Sequence, residues 1–216
     1  MRCVVFDLDG TLADTSADLL AAANASLPQA CLGPQDALTA FHGGRAMLRL
    51  GFQRLGLEWS EADVDAGYPM LLEAYRGGIA THTRLYPGAM EAVEALKAAG
   101  IAVSICTNKP AGLAELLLAE LGVRGAFGAL VGADTLPVRK PDAAPYRAAV
   151  ERAGGLVGRS MLVGDTETDA KTGVAAGVPV ALVTFGPEGR GVERFQPAAL
   201  LDRYEDLPAL AGRLLA

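Results

Sequence analysis

The sequence predicts an α/β fold: a Rossmann-like parallel sheet with helices on both faces and a small all-helical domain inserted after the first strand. Three observations carry that expectation. Short apolar runs alternate with amphipathic stretches, a glycine stands just past each such stretch, and one long interval shows helical periodicity without a strand.

The first run, Arg2–Phe6, is apolar after its arginine and ends in Asp7, as a strand buried on both faces does. Ile101–Cys106, Ala129–Val131, Met161–Val163 and Val180–Val183 complete a set of five. Between them, Gly88–Ala99, Ala111–Leu121, Asp142–Ala153 and Thr168–Ala176 read as helices. Gly100, Gly122, Gly154 and Gly177 follow, where left-handed backbone closes a helix C-terminus.

From Asp14 to Tyr86 the rhythm breaks. Apolar residues recur at helical spacing in Leu19–Leu27, Ala46–Leu55 and Ala62–Tyr75, with turns at Leu27-Pro28, Gly33-Pro34 and Gly43-Gly44. A strand-to-helix connection takes about 2–6 residues, so an interval of roughly 70 is a domain of its own. Residues 14–86 are therefore expected to form a helical insertion, and 1–13 with 87–216 an α/β core. Phe41, Leu48, Phe52 and Trp59 are expected to build the insertion's own small core.

The 216 residues are 51% hydrophobic and 20% charged, which excludes a disordered chain. No window approaches the roughly 20 apolar residues of a membrane helix. The apolar start is too short for a secretory leader, and the chain reads as cytoplasmic, with no membrane partner. Nineteen basic residues against 25 acidic ones leave a net charge of -6, the wrong balance for a nucleic-acid binder. An anionic substrate would need cations placed locally against that field. Cys3, Cys31 and Cys106 are odd in number and widely spaced, and read as reduced structural thiols.

Ligands of open parallel sheets bind beyond the carboxyl ends of the strands. Asp7-Leu8-Asp9-Gly10-Thr11 follows the first run and Thr107-Asn108-Lys109-Pro110 the second. Arg139-Lys140-Pro141 comes after the third, and Gly164-Asp165-Thr166-Glu167-Thr168-Asp169 closes the fourth. Asp7 and Asp9 share one side of an extended chain, and Asp165 and Asp169 lie one helical turn apart. Carboxylates crowded in this way repel unless a cation joins them. No histidine or cysteine accompanies them, and an all-oxygen set suits a hard cation, most often Mg²⁺. The alternative is a set of helix N-caps, since aspartate commonly begins helices; two acidic pairs after two strands make it the lesser reading.

Thr107 offers a hydroxyl, and the helix beginning near Pro110 offers backbone N–H groups to an anion. Lys140 supplies a compact positive charge. Lys109 and Arg139 read as surface residues with no catalytic role. Together these groups describe phosphoryl transfer: one carboxylate attacks phosphorus, a second protonates the leaving oxygen, and water hydrolyses the acyl phosphate.

In these four motifs, in this order, the chain resembles the haloacid dehalogenase superfamily of phosphatases. Within it, the chain is most similar to the phosphoglycolate phosphatases, through Asp14-Thr15-Ser16-Ala17-Asp18-Leu19, Ala22-Ala23-Asn24, Gly43-Gly44-Arg45 and Ala175-Ala176-Gly177-Val178-Pro179. The resemblance implies Asp7 as nucleophile and Asp9 as general acid and base. It implies Mg²⁺ held by Asp7, the Asp9 carbonyl and Asp165, with Asp169 in support. Thr107, Asn108 and Lys140 would bind the phosphoryl group. The insertion would be a cap that closes over the site, and Gly44 and Arg45, on a loop between cap helices, would contact substrate.

The implied substrate is a small phosphorylated metabolite, 2-phosphoglycolate first, hydrolysed by a monomer or homodimer. Alternatives are the same chemistry on a sugar phosphate or pyrophosphate, or a phosphosugar mutase. From a different class come a phospho-receiver and a non-catalytic binding module. The receiver conflicts with the chain length and motif order, and the binding module with the intact Asp7. His42 and His82 read as structural, and the glycines at 186, 189 and 191 as a loop.

Overall fold

The computed structural model describes residues 1–216 in two compact units, residues 1–13 with 85–216 and residues 14–84. The second crossing follows residue 84 rather than the 86 read from the sequence. β1 (Cys3–Phe6) opens the larger unit, and the two-residue strands β2 (Ala13–Asp14) and β3 (Arg84–Leu85) stand where the chain leaves it and where it returns.

The main sheet continues with β4 (Ala102–Cys106), β5 (Ala129–Val131), β6 (Ser160–Gly164), β7 (Val180–Val183) and β8 (Ala199–Leu201). All its pairings are parallel, in the order β5-β4-β1-β6-β7-β8. It therefore has six strands where five were expected. β8 escaped notice because it is a three-residue, partly exposed edge strand, too short for an apolar run to stand out.

The helices of this unit are α5 (Ala89–Ala98), α6 (Ala111–Glu120), α7 (Ala143–Arg152), α8 (Glu167–Ala176) and α9 (Leu207–Leu214). The glycines after α5 to α8 all have positive φ, between 69° and 79°. On one face of the sheet, Cys3, Val5, Cys106 and Leu162 pack with Tyr146, Ala149 and Val150 of α7. On β1, all four residues are inaccessible to solvent. Burying such side chains stabilises by about 1.5–3 kcal/mol each, so β1 is the backbone of the fold as well as the start of the site.

The chain steps from β1 out to β4 and β5, then returns to β6 on the other side of β1. That reversal makes the carboxyl end of β1 the topological switch point. The register pairs Phe6 with both Ile105 and Val163, so Asp7, Thr107 and Asp165 emerge at one edge.

The smaller unit contains α1 (Ser16–Ala25), α2 (Ala37–Phe41), α3 (Gly44–Arg54) and α4 (Glu61–Gly77). Its core is built from Met47, Leu48, Val64, Leu71 and Tyr75. Of the expected core, Leu48 is buried, whereas Trp59 is exposed and stacks on Phe52 at 6.3 Å. Pro69 lies inside α4 without ending it; it sits on the solvent side, where water can satisfy the carbonyl it leaves unbonded. The buried Asp18 carboxylate accepts from the backbone N–H groups of His82 and Thr83 and from the Thr83 hydroxyl, tying α1 to the returning chain. No helix is long and apolar enough to cross a membrane.

Candidate active site

Beyond β1 the chain turns sharply. The N–H groups of Leu12 and Ala13 both bond to the Leu8 carbonyl, and Gly10 adopts a φ of 81° that suits glycine. Leu8 is fully buried beneath this turn. The two aspartates that flank it meet two different cations. Asp7 Oδ1 lies 3.0 Å from Lys140 Nζ, and both Asp9 oxygens accept from Lys109 Nζ, at 2.8 and 3.0 Å.

Lys140 is almost completely buried and also donates to Asp169 Oδ1 at 2.6 Å. The other Asp169 oxygen accepts from the N–H groups of Asp165 and Thr166 and from the Thr166 hydroxyl. Asp169 thus closes the capping box of α8 while it holds Lys140. Gly164 permits the arrangement: a Cβ there would stand 2.4 Å from the Cβ and Cγ of Asp169. Asp165 is fixed through its Oδ1 by the Thr11 hydroxyl at 2.8 Å, and the Thr11 carbonyl accepts from Tyr204 at 2.7 Å.

Thr107 is buried, and its Oγ1 accepts from Lys109 N at 3.1 Å, which leaves the hydroxyl proton to donate to an oxyanion. Asn108 is exposed and spends its amide on the Lys140 carbonyl, at 3.0 Å. Asp7, Asp9, Thr107, Asn108, Lys140, Asp165 and Asp169 are thus linked at one sheet edge.

Three expectations are corrected. Lys109 is not on the surface: it is 7% exposed and bound to Asp9, because the parallel pairing of β1 with β4 sets the two loops side by side. At the N-terminus of α6 one of the expected N–H groups is already taken, since Asp134 Oδ1 accepts from Ala111 N at 2.7 Å. Gly44 and Arg45 open helix α3 rather than lying on a loop. There Arg45 pairs with Asp65 and covers the Tyr68 ring at 4.5 Å, and a Cβ on Gly44 would stand 2.9 Å from that ring.

Sequence reasoning also left Thr11 and Tyr204 without roles. Thr11 was visible inside the first motif, but nothing in the sequence connects Tyr204 to it.

The electrostatics call for one more positive group. Asp7, Asp9 and Asp169 pair with Lys109 and Lys140, and with Asp165 beside them that sets four carboxyls against two ammonium groups. Burial pushes the Asp7 carboxyl up to about 6; Lys140 opposes the shift, and Asp169 and Asp9 add to it. Burial, with Asp7 and Asp169, likewise raises Asp165 well above the carboxylate range. Carboxylate oxygens of Asp7, Asp165 and Asp169 lie within 4.8 Å of one another. A buried, all-oxygen set with a charge deficit of two fits a hard divalent cation.

A pH dependence follows. Without a cation, the raised carboxyls of Asp7 and Asp165 contribute stability that is present below the unfolded carboxylate value and is lost as pH rises, for Asp7 through about 6. A divalent cation competes with those protons. Saturating Mg²⁺, at about 100 times Kd, should add about 2.7 kcal/mol at pH 7.5, or roughly 5–10 °C in Tm. The increment should be close to zero at pH 4.5. Thermal melts across that range test the account, and a Mg²⁺ increment independent of pH contradicts it.

Buried aspartates, a lysine and a threonine thus stand at the switch point of a parallel doubly wound sheet. The chain belongs to the haloacid dehalogenase-like hydrolases, whose family model matches residues 1–177. It is 39% identical over 217 residues to a phosphoglycolate phosphatase of Agrobacterium fabrum, covering 98% of this chain and 93% of that one. It is 38% identical to a phosphoglycolate phosphatase of Cereibacter sphaeroides, each chain covered completely. Among solved structures, a crystal structure described as a predicted phosphoglycolate phosphatase from Haemophilus somnus superposes with a TM-score of 0.84 over 97% of both chains, at 24% identity. The protein is a phosphoric monoester hydrolase.

Proposed function

We propose that the protein hydrolyses 2-phosphoglycolate, a small phosphate monoester with its own carboxylate, through an aspartyl-phosphate on Asp7 with Mg²⁺ as cofactor. The observation that carries this reading is the buried Asp7 carboxylate held beside a buried lysine at the switch point. The substrate rests on relatives that carry that activity in their names.

In the first step an Asp7 oxygen attacks phosphorus and the bond to the glycolate oxygen breaks. The Asp9 carboxyl gives its proton to that leaving oxygen. In the second, water attacks the phosphorus of the acyl phosphate, Asp9 takes the proton, and Asp7 departs as a carboxylate, so the catalyst is regenerated. Lys140 and the Thr107 hydroxyl balance charge on the transferring oxygens. Asp7, the Asp9 carbonyl and Asp165 would hold the cation, with Asp169 orienting Lys140 and the Asp165 backbone. When bound, it supplies positive charge to the phosphoryl oxygens and keeps Asp7 ionised.

The test is Mg²⁺-dependent phosphate release from 2-phosphoglycolate beside sugar phosphates, pyrophosphate and p-nitrophenyl phosphate, with Asp7→Asn as blank. We expect the highest kcat/KM for 2-phosphoglycolate. A higher value for a sugar phosphate would reassign the substrate, and rearranged sugar phosphate without free phosphate would make the protein a mutase.

A further inference from the structure

Resting on the proposed reaction, we infer that Lys109 is a positioning residue for the proton-transferring carboxyl of Asp9. Its ammonium spans both Asp9 oxygens, and its side chain is 4% exposed. A lysine desolvated this far is stable only when paired, and Asp9, at 17%, is the partner the fold supplies.

The lysine stands on a fixed base. Lys109 N donates to Thr107 Oγ1 at 3.1 Å, and Lys109 O accepts from Ala133 N at 3.0 Å. The end of β5 presses directly on this backbone: a Cβ on Gly132 would lie 2.5 Å from Ala111 N and 2.8 Å from Lys109 O. Asp134 then ties down Ala111 N. Asp9 stands on a separate loop, the turn after β1, where Gly10 N donates to Ala13 O at 2.9 Å. Lys109 spans both oxygens of the side chain that this turn carries. The pair therefore sets where the Asp9 carboxyl stands, and with it the geometry of proton delivery.

A role in positioning the acid makes a prediction that simple bracing of the fold does not. Loss of Lys109 should matter only when the leaving oxygen needs a proton. An alkoxide such as that of glycolate does, and p-nitrophenolate does not. The measurement is the first-turnover rate constant, with enzyme in excess and rapid quenching, for Lys109→Met and wild type on both esters. We expect a loss of about 100-fold with 2-phosphoglycolate, the lower end of general-acid contributions, and less than about threefold with p-nitrophenyl phosphate.

In an Asp9→Asn background, where no acid remains to be placed and no charge is left unpaired, Lys109→Met should cost nothing further. This comparison also holds if the single variant folds poorly. Equal losses on the two esters, an unchanged or faster first turnover with 2-phosphoglycolate, or a further tenfold loss on top of Asp9→Asn would overturn the inference. If wild-type turnover of p-nitrophenyl phosphate survives Asp7→Asn, the aspartyl-phosphate reading fails, and the inference falls with it.

Discussion

Asp7→Asn is expected to lower kcat by roughly 10⁴–10⁶-fold, the scale seen when a nucleophile is removed from a cooperating set. The amide keeps the shape of the carboxyl but cannot form the acyl phosphate. What makes the experiment decisive is that folding should not suffer. Asp7 is one of four crowded carboxylates, and burial already pushes its carboxyl up to about 6. Replacing it removes a charge that the metal-free protein pays to keep, so Tm without cation should equal or exceed the wild-type value at pH 7.5. This is the trade between stability and activity expected of a strained site. A variant that keeps more than a hundredth of wild-type kcat would remove Asp7 from the role of nucleophile.

Lys140→Met should do both kinds of harm. Lys140 is 3% exposed and lies 3.0 Å from Asp7 and 2.6 Å from Asp169. Burial by itself would lower its affinity for a proton, yet Asp169 and Asp7 outweigh burial and raise it above the ordinary lysine value. Such a group contributes its stability at every pH below the unfolded lysine value, and so throughout the neutral range.

Taking one partner out of a buried ion pair costs about 3–5 kcal/mol because the remaining charge stays uncompensated. For a chain of this size that is a fall in Tm on the order of 10 °C at pH 8. At pH 5 the Asp7 carboxyl, pushed up to about 6 by burial, takes up a proton, and the deficit should shrink to a fraction of that. Turnover should vanish at both values. Melting curves at the two pH values decide the matter, and a variant that melts within two degrees of wild type at pH 8 contradicts the ion-pair account.

Most of the larger unit was legible in the sequence. A strand buried on both faces must be apolar along its whole length, so β1, β4, β6 and β7 stood out as runs. A helix that ends on left-handed backbone favours glycine, so four helix ends stood out as well. The edge strand β8 was not legible, because an edge needs little apolar surface and three residues carry no period. The five-residue helix α2 is too short to show a helical repeat. In the smaller unit the long helices were visible, but Trp59 was misplaced: an isolated aromatic in the sequence says nothing about which side of a bundle it will occupy.

The acidic motifs pointed to the chemistry because two pairs of carboxylates after two buried strands are more than helix capping by itself calls for. Their partners were a different matter. Lys140 was identified through its motif, whereas Lys109 looked like any lysine at the start of a helix. The same applies to Tyr204, which reaches Thr11 across 193 positions of sequence.

The sequence by itself determined the class of fold, the carboxylates and the phosphoryl chemistry, since periodicity and side-chain type are local properties. The tertiary structure alone decided which cation meets which acid, that Asp134 takes the Ala111 N–H at the start of α6, and that Arg45 pairs with Asp65. Those are contacts between segments far apart in the chain. Their energies depend on burial and on distances of a few ångströms, and both exist only once the parallel strands have come into register.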